Sequence, residues 1–172
     1  MLLFLLPFAA HAQTNAPEFK QHWRVVSVDS SQPGEGSPQG AIDGDPMTYW
    51  HTHWSNNDAP PHPHEIVVDM GRSVELLGFT YLPRQAKGGG QPNGRIDRYE
   101  FMVSGDSTNW AQAASGRFPE SGDWKTNRFS QAATGRYFKL VSWSAFKNQP
   151  FAAVGELDVL VSDKAAADLK SR

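Results

Sequence analysis

The sequence predicts an all-β chain folded as an antiparallel sandwich of about eight strands, and three observations carry that prediction. In "RYFKLVSWS", Tyr137, Lys139, Val141 and Trp143 alternate with Phe138, Leu140, Ser142 and Ser144. That is the period of two of a strand with two different faces. Along the chain, short segments rich in β-branched and aromatic residues are separated by Gly, Pro, Asn and Asp turn signals. No window carries a sustained apolar stripe at helical spacing.

The elements follow in order. Met1 to Ala12, "MLLFLLPFAAHA", is an apolar run ending in the small-x-small pattern of signal peptidase sites, without a Lys or Arg before it. It is far shorter than the roughly 20 residues a bilayer demands, so the expectation for residues 1–12 is a cleaved secretory signal. Strands are expected at 23–28, 64–70, 75–82, 98–104, 110–118, 126–131, 135–144 and 155–161. One domain is expected over residues 20–162, and a flexible tail over 163–172, where "DKAAADLKSR" has no apolar periodicity. Two loops are long, residues 30–64 and 83–95, and long loops in a compact domain are usually functional. Trp23, Trp50, Phe79, Phe101 and Trp143 are expected in the core.

Composition narrows the function. A formal net charge of −2 and no run of Lys or Arg argue against a nucleic-acid partner or an anionic membrane surface. With no Cys there is no disulfide framework and no thiol nucleophile, which fits a bacterial protein of the periplasm, cell envelope or medium. No G-x-S-x-G elbow or His-Glu-x-x-His helix is present. The histidines of "WHTHW" and "PPHPHE" are paired at i, i+2, a spacing that can chelate zinc on a strand, but Pro60, Pro61 and Pro63 restrict the second pair. His62 and His64 are assigned to structure.

The segment "AIDGDPMTYW" (41–50) resembles the signature of the discoidin, or coagulation factor V/VIII type C, domain. "HEIVVDMG", "LLGFTYLPRQ", "NGRIDRYEFMVSGD", "RYFKLVSWS" and "AAVGELDVLV" follow in the family's order, so the resemblance spans Trp23 to Val161. Within that superfamily, "YLPRQ…NGRI…YEF" is most similar to bacterial carbohydrate-binding modules of family 32. The resemblance implies a galactose-binding-like jelly roll with a structural Ca²⁺ and a sugar site at one end.

For the calcium, the resemblance implies Gly40, Asp43, Asp45, Thr48 and Glu156, with the Gly155 carbonyl nearby. An all-oxygen shell suits calcium, while an Asp-Gly-Asp segment read by itself is also an ordinary Asx turn. For the sugar, the resemblance implies His53 (with His51 as the alternative), Arg84, Asn93 and Phe151, with Trp54 as a second wall and Gln85 and Glu35 peripheral. An Arg donates in fixed geometry and a His offers one donor and one acceptor, as directional sugar hydroxyls require. Each has a plain alternative. Asn93-Gly94 is a turn dipeptide, Arg84 can brace its loop, and Phe151 can be core.

The function implied is a non-catalytic, lectin-like module recognising terminal galactose or N-acetylgalactosamine-type sugars, with a separately encoded glycosidase as a candidate partner and no membrane insertion. The alternative is a protein-interaction or cell-adhesion discoidin domain. Convergence of His53, Arg84, Asn93 and an aromatic in one pocket discriminates between them.

Overall fold

The computed structural model describes residues 20–55, 59–86 and 92–162. The expected signal and tail, and the "KGGGQ" segment, lie outside the described residues. Among the described residues eight strands are present: β1 (Arg24–Val28), β2 (Trp50–His51), β3 (His64–Leu82), β4 (Arg98–Ser104), β5 (Ala111–Arg117), β6 (Lys125–Ser142), β7 (Ala153–Val154) and β8 (Glu156–Val161).

β3 and β6 organise the sandwich. They pair antiparallel along nearly their whole lengths, from His64↔Ser142 to Tyr81↔Lys125, with irregularities between Asp69 and Val74 and between Leu76 and Gly78. The first part of β3 pairs with β1 and its last part with β8. The last part of β6 pairs with β4, which pairs with the edge strand β5. Each long strand therefore serves two layers, and bulges supply the bend. Sequence reading divided each long strand in two; in the structure the ladder lapses over residues 70–73 of β3, opposite the single residue Arg136, and over residues 129–132 of β6, opposite the single residue Leu77, and resumes beyond each.

The layers meet through aromatics. Phe79 of β3 stacks on Phe101 of β4 at 4.2 Å, and Phe101 stacks on Phe138 of β6 at 5.3 Å. Trp23, Trp50, Phe79, Phe101 and Phe138 are fully buried. Phe79 also contacts Tyr99, Phe118 and Phe129. Phe79→Ala should cost about 3–5 kcal/mol by leaving a cavity between the layers, read as a lowered denaturation midpoint. A loss below about 1 kcal/mol would mean the layers do not depend on this stack.

Trp143 corrects the sequence reading: it is 43% exposed. It shares a face with Lys139, and that face is the outer one; Phe138 and Leu140 point inward. Two strands went unpredicted, the two-residue β2 and β7, which pair as Trp50↔Val154 and His51↔Ala153. They are too short to carry periodicity, yet they join the first long loop to the stretch just before β8.

Candidate functional site

At the end of the sandwich where β2 and β7 meet, an open cavity of about 190 Å³ is lined by Glu35, His51, Trp54, Arg84, Asn93 and Phe151. The β2–β7 ladder sets its floor. Thr52 N–H donates to the Ala152 carbonyl at 2.9 Å, and Ala152 N–H donates to Thr52 Oγ1 at 3.0 Å. His51 and Phe151 therefore face one another, ring centroids 5.2 Å apart.

The polarity of His51 follows from its neighbour. Its Nδ1 lies 2.7 Å from the Thr52 carbonyl, which can only accept, so Nδ1 carries the proton and Nε2 keeps its lone pair. Burial pushes its pKa down, against the opposing pull of the Thr52 carbonyl, so the ring is neutral near pH 7.

Arg84 is held from two sides. Its Nη1 pairs with Glu35 Oε1 at 2.7 Å, and its guanidinium lies 4.1 Å from the Tyr49 ring centroid. Glu35 Oε2 accepts the Trp54 indole N–H at 2.7 Å. Burial pushes the Glu35 carboxyl up, but the Trp54 N–H and the Arg84 charge outweigh it and hold the pKa below its usual range. Glu35 is thus the hub that orients Arg84 and Trp54, rather than a peripheral contact. Trp54, 47% exposed, forms the rim. Gln32 Oε1 accepts the backbone N–H groups of Trp54 and Ser55 and fixes this turn.

The placement of the expected residues is mixed. Arg84, Asn93, Phe151 and Trp54 come together around the cavity. His53 does not line it; His51 does, because the ladder ends at His51↔Ala153 and the chain turns beyond it with His53 N–H donating to Ser30 Oγ. Gln85 is outside the lining, and its Nε2 donates instead to the Pro83 and Gly122 carbonyls. His62 and His64 have their ring nitrogens on the Ser142, Gln149 and Pro150 carbonyls and on Asp29, away from the cavity lining. Among the described residues, no three His, Asp or Glu side chains are grouped to hold a metal.

The candidate calcium loop has a different character, carbonyl-rich and hard. Thr48 Oγ1 lies within 3.1 Å of the Gly40 carbonyl, both Asp43 carboxylate oxygens and the Asp45 carbonyl. One hydroxyl proton cannot serve four acceptors, so this oxygen set is complementary to a cation. Gly44, at φ +84°, makes the turn that brings these groups together. Glu156 approaches from β8: Oε2 accepts the Gly44 N–H at 3.0 Å, while Oε1 is 2.5 Å from Lys20 Nζ. Burial raises the Glu156 pKa, opposed by Lys20 and reinforced by the charge of Asp43. The residues fit a hard cation on the Asp43 side, with Lys20 as a resident counter-charge for Glu156 that sequence reading missed.

These features agree with known proteins. The F5/8 type C domain family model matches residues 26–157. Over 162 residues the chain is 33% identical to a galactose oxidase of Gibberella zeae, covering 91% of this chain and 22% of that protein. Over 138 residues it is 37% identical to a sialidase of Micromonospora viridifaciens, covering 78% and 21%. The chain thus spans about a fifth of the curated relatives it matches. Among solved structures, it resembles a family 32 module of Clostridium perfringens in complex with GalNAc-β-1,3-galactose. The TM-score is 0.72, with 33% identity and coverage of 85% of this chain and 99% of that one. A second C. perfringens family 32 module, in complex with galactose, matches with a TM-score of 0.69, 25% identity and coverage of 84% and 96%. The fold is the galactose-binding-like β-sandwich of these modules, and the chain belongs to the F5/8 type C domain family.

Proposed function

We propose that this domain is a non-catalytic carbohydrate-binding module that recognises the terminal galactose or N-acetylgalactosamine of a glycan. The observation that carries this reading is the convergence of Arg84, Asn93, His51 and Glu35 around the Phe151 and Trp54 rings in one open cavity. A pyranose presents an apolar C–H face to an aromatic ring and a set of directional hydroxyls at its edge. Phe151 suits the first; the Arg84 donors and the His51 Nε2 acceptor suit the second. The galactose-containing ligands of the two similar C. perfringens modules support the sugar class. This arrangement favours sugar over the protein-interaction alternative, which needs no such convergence.

The cavity offers no nucleophile paired with a base, and its carboxylate, Glu35, is engaged by Arg84 and Trp54. The domain's role in this reading is to hold an enzyme, such as a separately encoded glycosidase, or a cell surface close to glycans. It acts in the periplasm, cell envelope or medium of a bacterium. Among the described residues no helix is long and apolar enough to cross a membrane.

Calorimetric titration tests the reading. Galactose and N-acetylgalactosamine should bind, and glucose, which differs from galactose in the orientation of one hydroxyl, should bind much more weakly. A folded domain that binds none of a broad glycan panel sinks it.

Calcium, held by Gly40, Asp43, Asp45, Thr48 and Glu156, has a structural role in this proposal: it neutralises the Asp43 carboxylate and secures the first loop against β8. Calcium at a hundredfold excess over its dissociation constant should stabilise the fold by about 2.7 kcal/mol, a rise of several degrees in Tm. A chelator should reverse the shift, and Asp43→Ala should remove it. A wild-type Tm indifferent to both calcium and chelator would rule the site out.

A further inference from the structure

The neutral amide of Asn93 can present either a donor or an acceptor to the cavity, and the sequence does not say which. The structure fixes it through a neighbour outside the cavity lining. Gly94 N–H, which can only donate, bonds to Gln149 Oε1 at 2.8 Å. That leaves Gln149 Nε2 as the donor on the other arm, 3.0 Å from Asn93 Oδ1. Asn93 Oδ1 is thereby occupied, and Nδ2, with its two N–H groups, remains for the cavity. The orientation propagates from a backbone group that cannot flip, so it does not rest on the resemblance in shape between amide oxygen and nitrogen.

Gln149 is itself pinned at both ends. Its backbone N–H donates to Phe146 at 3.3 Å, and its carbonyl lies 3.1 Å from His62 Nε2. The corner it reads is equally fixed. Gly94 sits at φ +76°, where a Cβ would lie 2.7 Å from Ala153 N, and its carbonyl accepts the Ala153 N–H at 2.8 Å. The Asn93–Gly94 corner is therefore docked on β7, beside the strand that places Phe151.

We propose that Gln149 is a positioning residue for ligand specificity: it turns the Asn93 carboxamide so that the site offers an N–H donor there and selects a ligand oxygen that accepts. This rests on the sugar-binding reading above. The expected ligand presents an accepting hydroxyl oxygen at Asn93 and a donating hydroxyl at His51 Nε2, so the two edges of the cavity have opposite polarity.

The test is Gln149→Glu, which is nearly isosteric. At neutral pH its carboxylate still accepts the Gly94 N–H, but its other oxygen also accepts, and Asn93 must then turn its NH₂ away from the cavity. Two measurements are made. In the sugar-free protein, the assigned Asn93 side-chain NH₂ resonances are compared between wild type and variant by ¹⁵N-correlated NMR. They should shift on Gln149→Glu. Galactose and its monodeoxy derivatives are then titrated into wild type, Gln149→Glu, Asn93→Ala and the double variant.

Gln149→Glu should weaken galactose binding roughly tenfold and abolish discrimination against one monodeoxy derivative while leaving the others penalised. In the Asn93→Ala background it should have no further effect. An equal loss in that background, or an equal loss for every derivative, overturns the proposal, because Gln149 would then act through the loop as a whole. If the wild type binds none of these sugars, the sugar reading fails by itself. The positioning role is then decided by the Asn93 resonances: a shift sustains it and unmoved signals overturn it.

Discussion

Arg84→Ala should reduce galactose binding by roughly tenfold to a hundredfold, since each charge-assisted hydrogen bond lost contributes about 1.5–3 kcal/mol. Arg84 meets Glu35 through one nitrogen and the Tyr49 face through its plane, so further N–H donors remain for a ligand. Its position is set before any ligand arrives, which lowers the ordering cost of binding. The substitution also frees Glu35, leaving a carboxylate in the cavity with Trp54 and Tyr49 as its partners among the described residues. The side chains of both ion-pair partners are 23% exposed, so the fold should lose little. Thermal unfolding of the variant should stay within a few degrees of wild type. Arg84→Lys keeps the charge but not the fork, and should recover only part of the affinity. Calorimetry on the three proteins checks this. Full-strength binding by Arg84→Ala would move the sugar site elsewhere.

Several parts of this site were legible because their chemistry is local. Arg84 follows a strand that reads clearly, and Asn93-Gly94 is a turn by composition. Phe151 and Trp54 are aromatics in loops, and the structure gathers all four residues round one cavity. The choice between His51 and His53 was not local. It depends on where a two-residue strand ends, and that end is set by a partner a hundred residues away. Glu35 was underestimated for the same reason. Its contacts run to Tyr49 and Trp54, 14 and 19 residues further along the same long loop, and to Arg84 beyond β3. Gln149 carried no signal except being a polar residue between two apolar stretches near an expected site residue.

The fold shows the same division. Alternation gave the strand class and most boundaries, but residues 71–74 and 132–134 read as breaks between strands. Pairing lapses over residues 70–73 and resumes at Val74↔Gly135, while Ala133 and Thr134 are themselves paired with Leu76 and Glu75. Trp143 was misplaced although its own register held the clue: Lys139 lies two positions before Val141 and four before Trp143, on the face that carries charge. Size and aromaticity outweighed register in that reading, and register was the better guide.

Replacing His64 by Gln should cost about 3 kcal/mol near pH 6, the lower end for breaking a buried ion pair, because Asp29 is 22% exposed at its side chain while His64 is fully buried. His64 Nδ1 lies 2.7 Å from Asp29 Oδ2 and Nε2 lies 2.7 Å from the Pro150 carbonyl. Both partners accept, and Asp29 is an anion, so the doubly protonated ring is favoured here, unlike at His62, whose two nitrogens meet only neutral groups. Burial pulls its pKa down, but Asp29 and the Pro150 carbonyl outweigh this and raise it above the ordinary histidine value. The pair therefore contributes in full below about pH 6.5, the unfolded value, and its contribution is lost as pH rises through the folded value. Asp29, whose carboxyl is held low despite its burial, sets the acid edge: there the contribution falls away as pH drops below the ordinary aspartate range. His51 and His62 are shifted the opposite way, chiefly by burial, and destabilise the fold on acidification. Both residues are present in wild type and variant, so the difference between the two proteins isolates His64, apart from the relief of its repulsion on His62, 4.6 Å away between ring centroids. Denaturant titrations from pH 5 to about pH 9 should show the gap between wild type and His64→Gln narrowing as pH rises. A gap that is constant, or that widens with pH, would mean the ring is neutral in the fold. In that case the Pro150 carbonyl, one residue from Phe151, would be held in some other way.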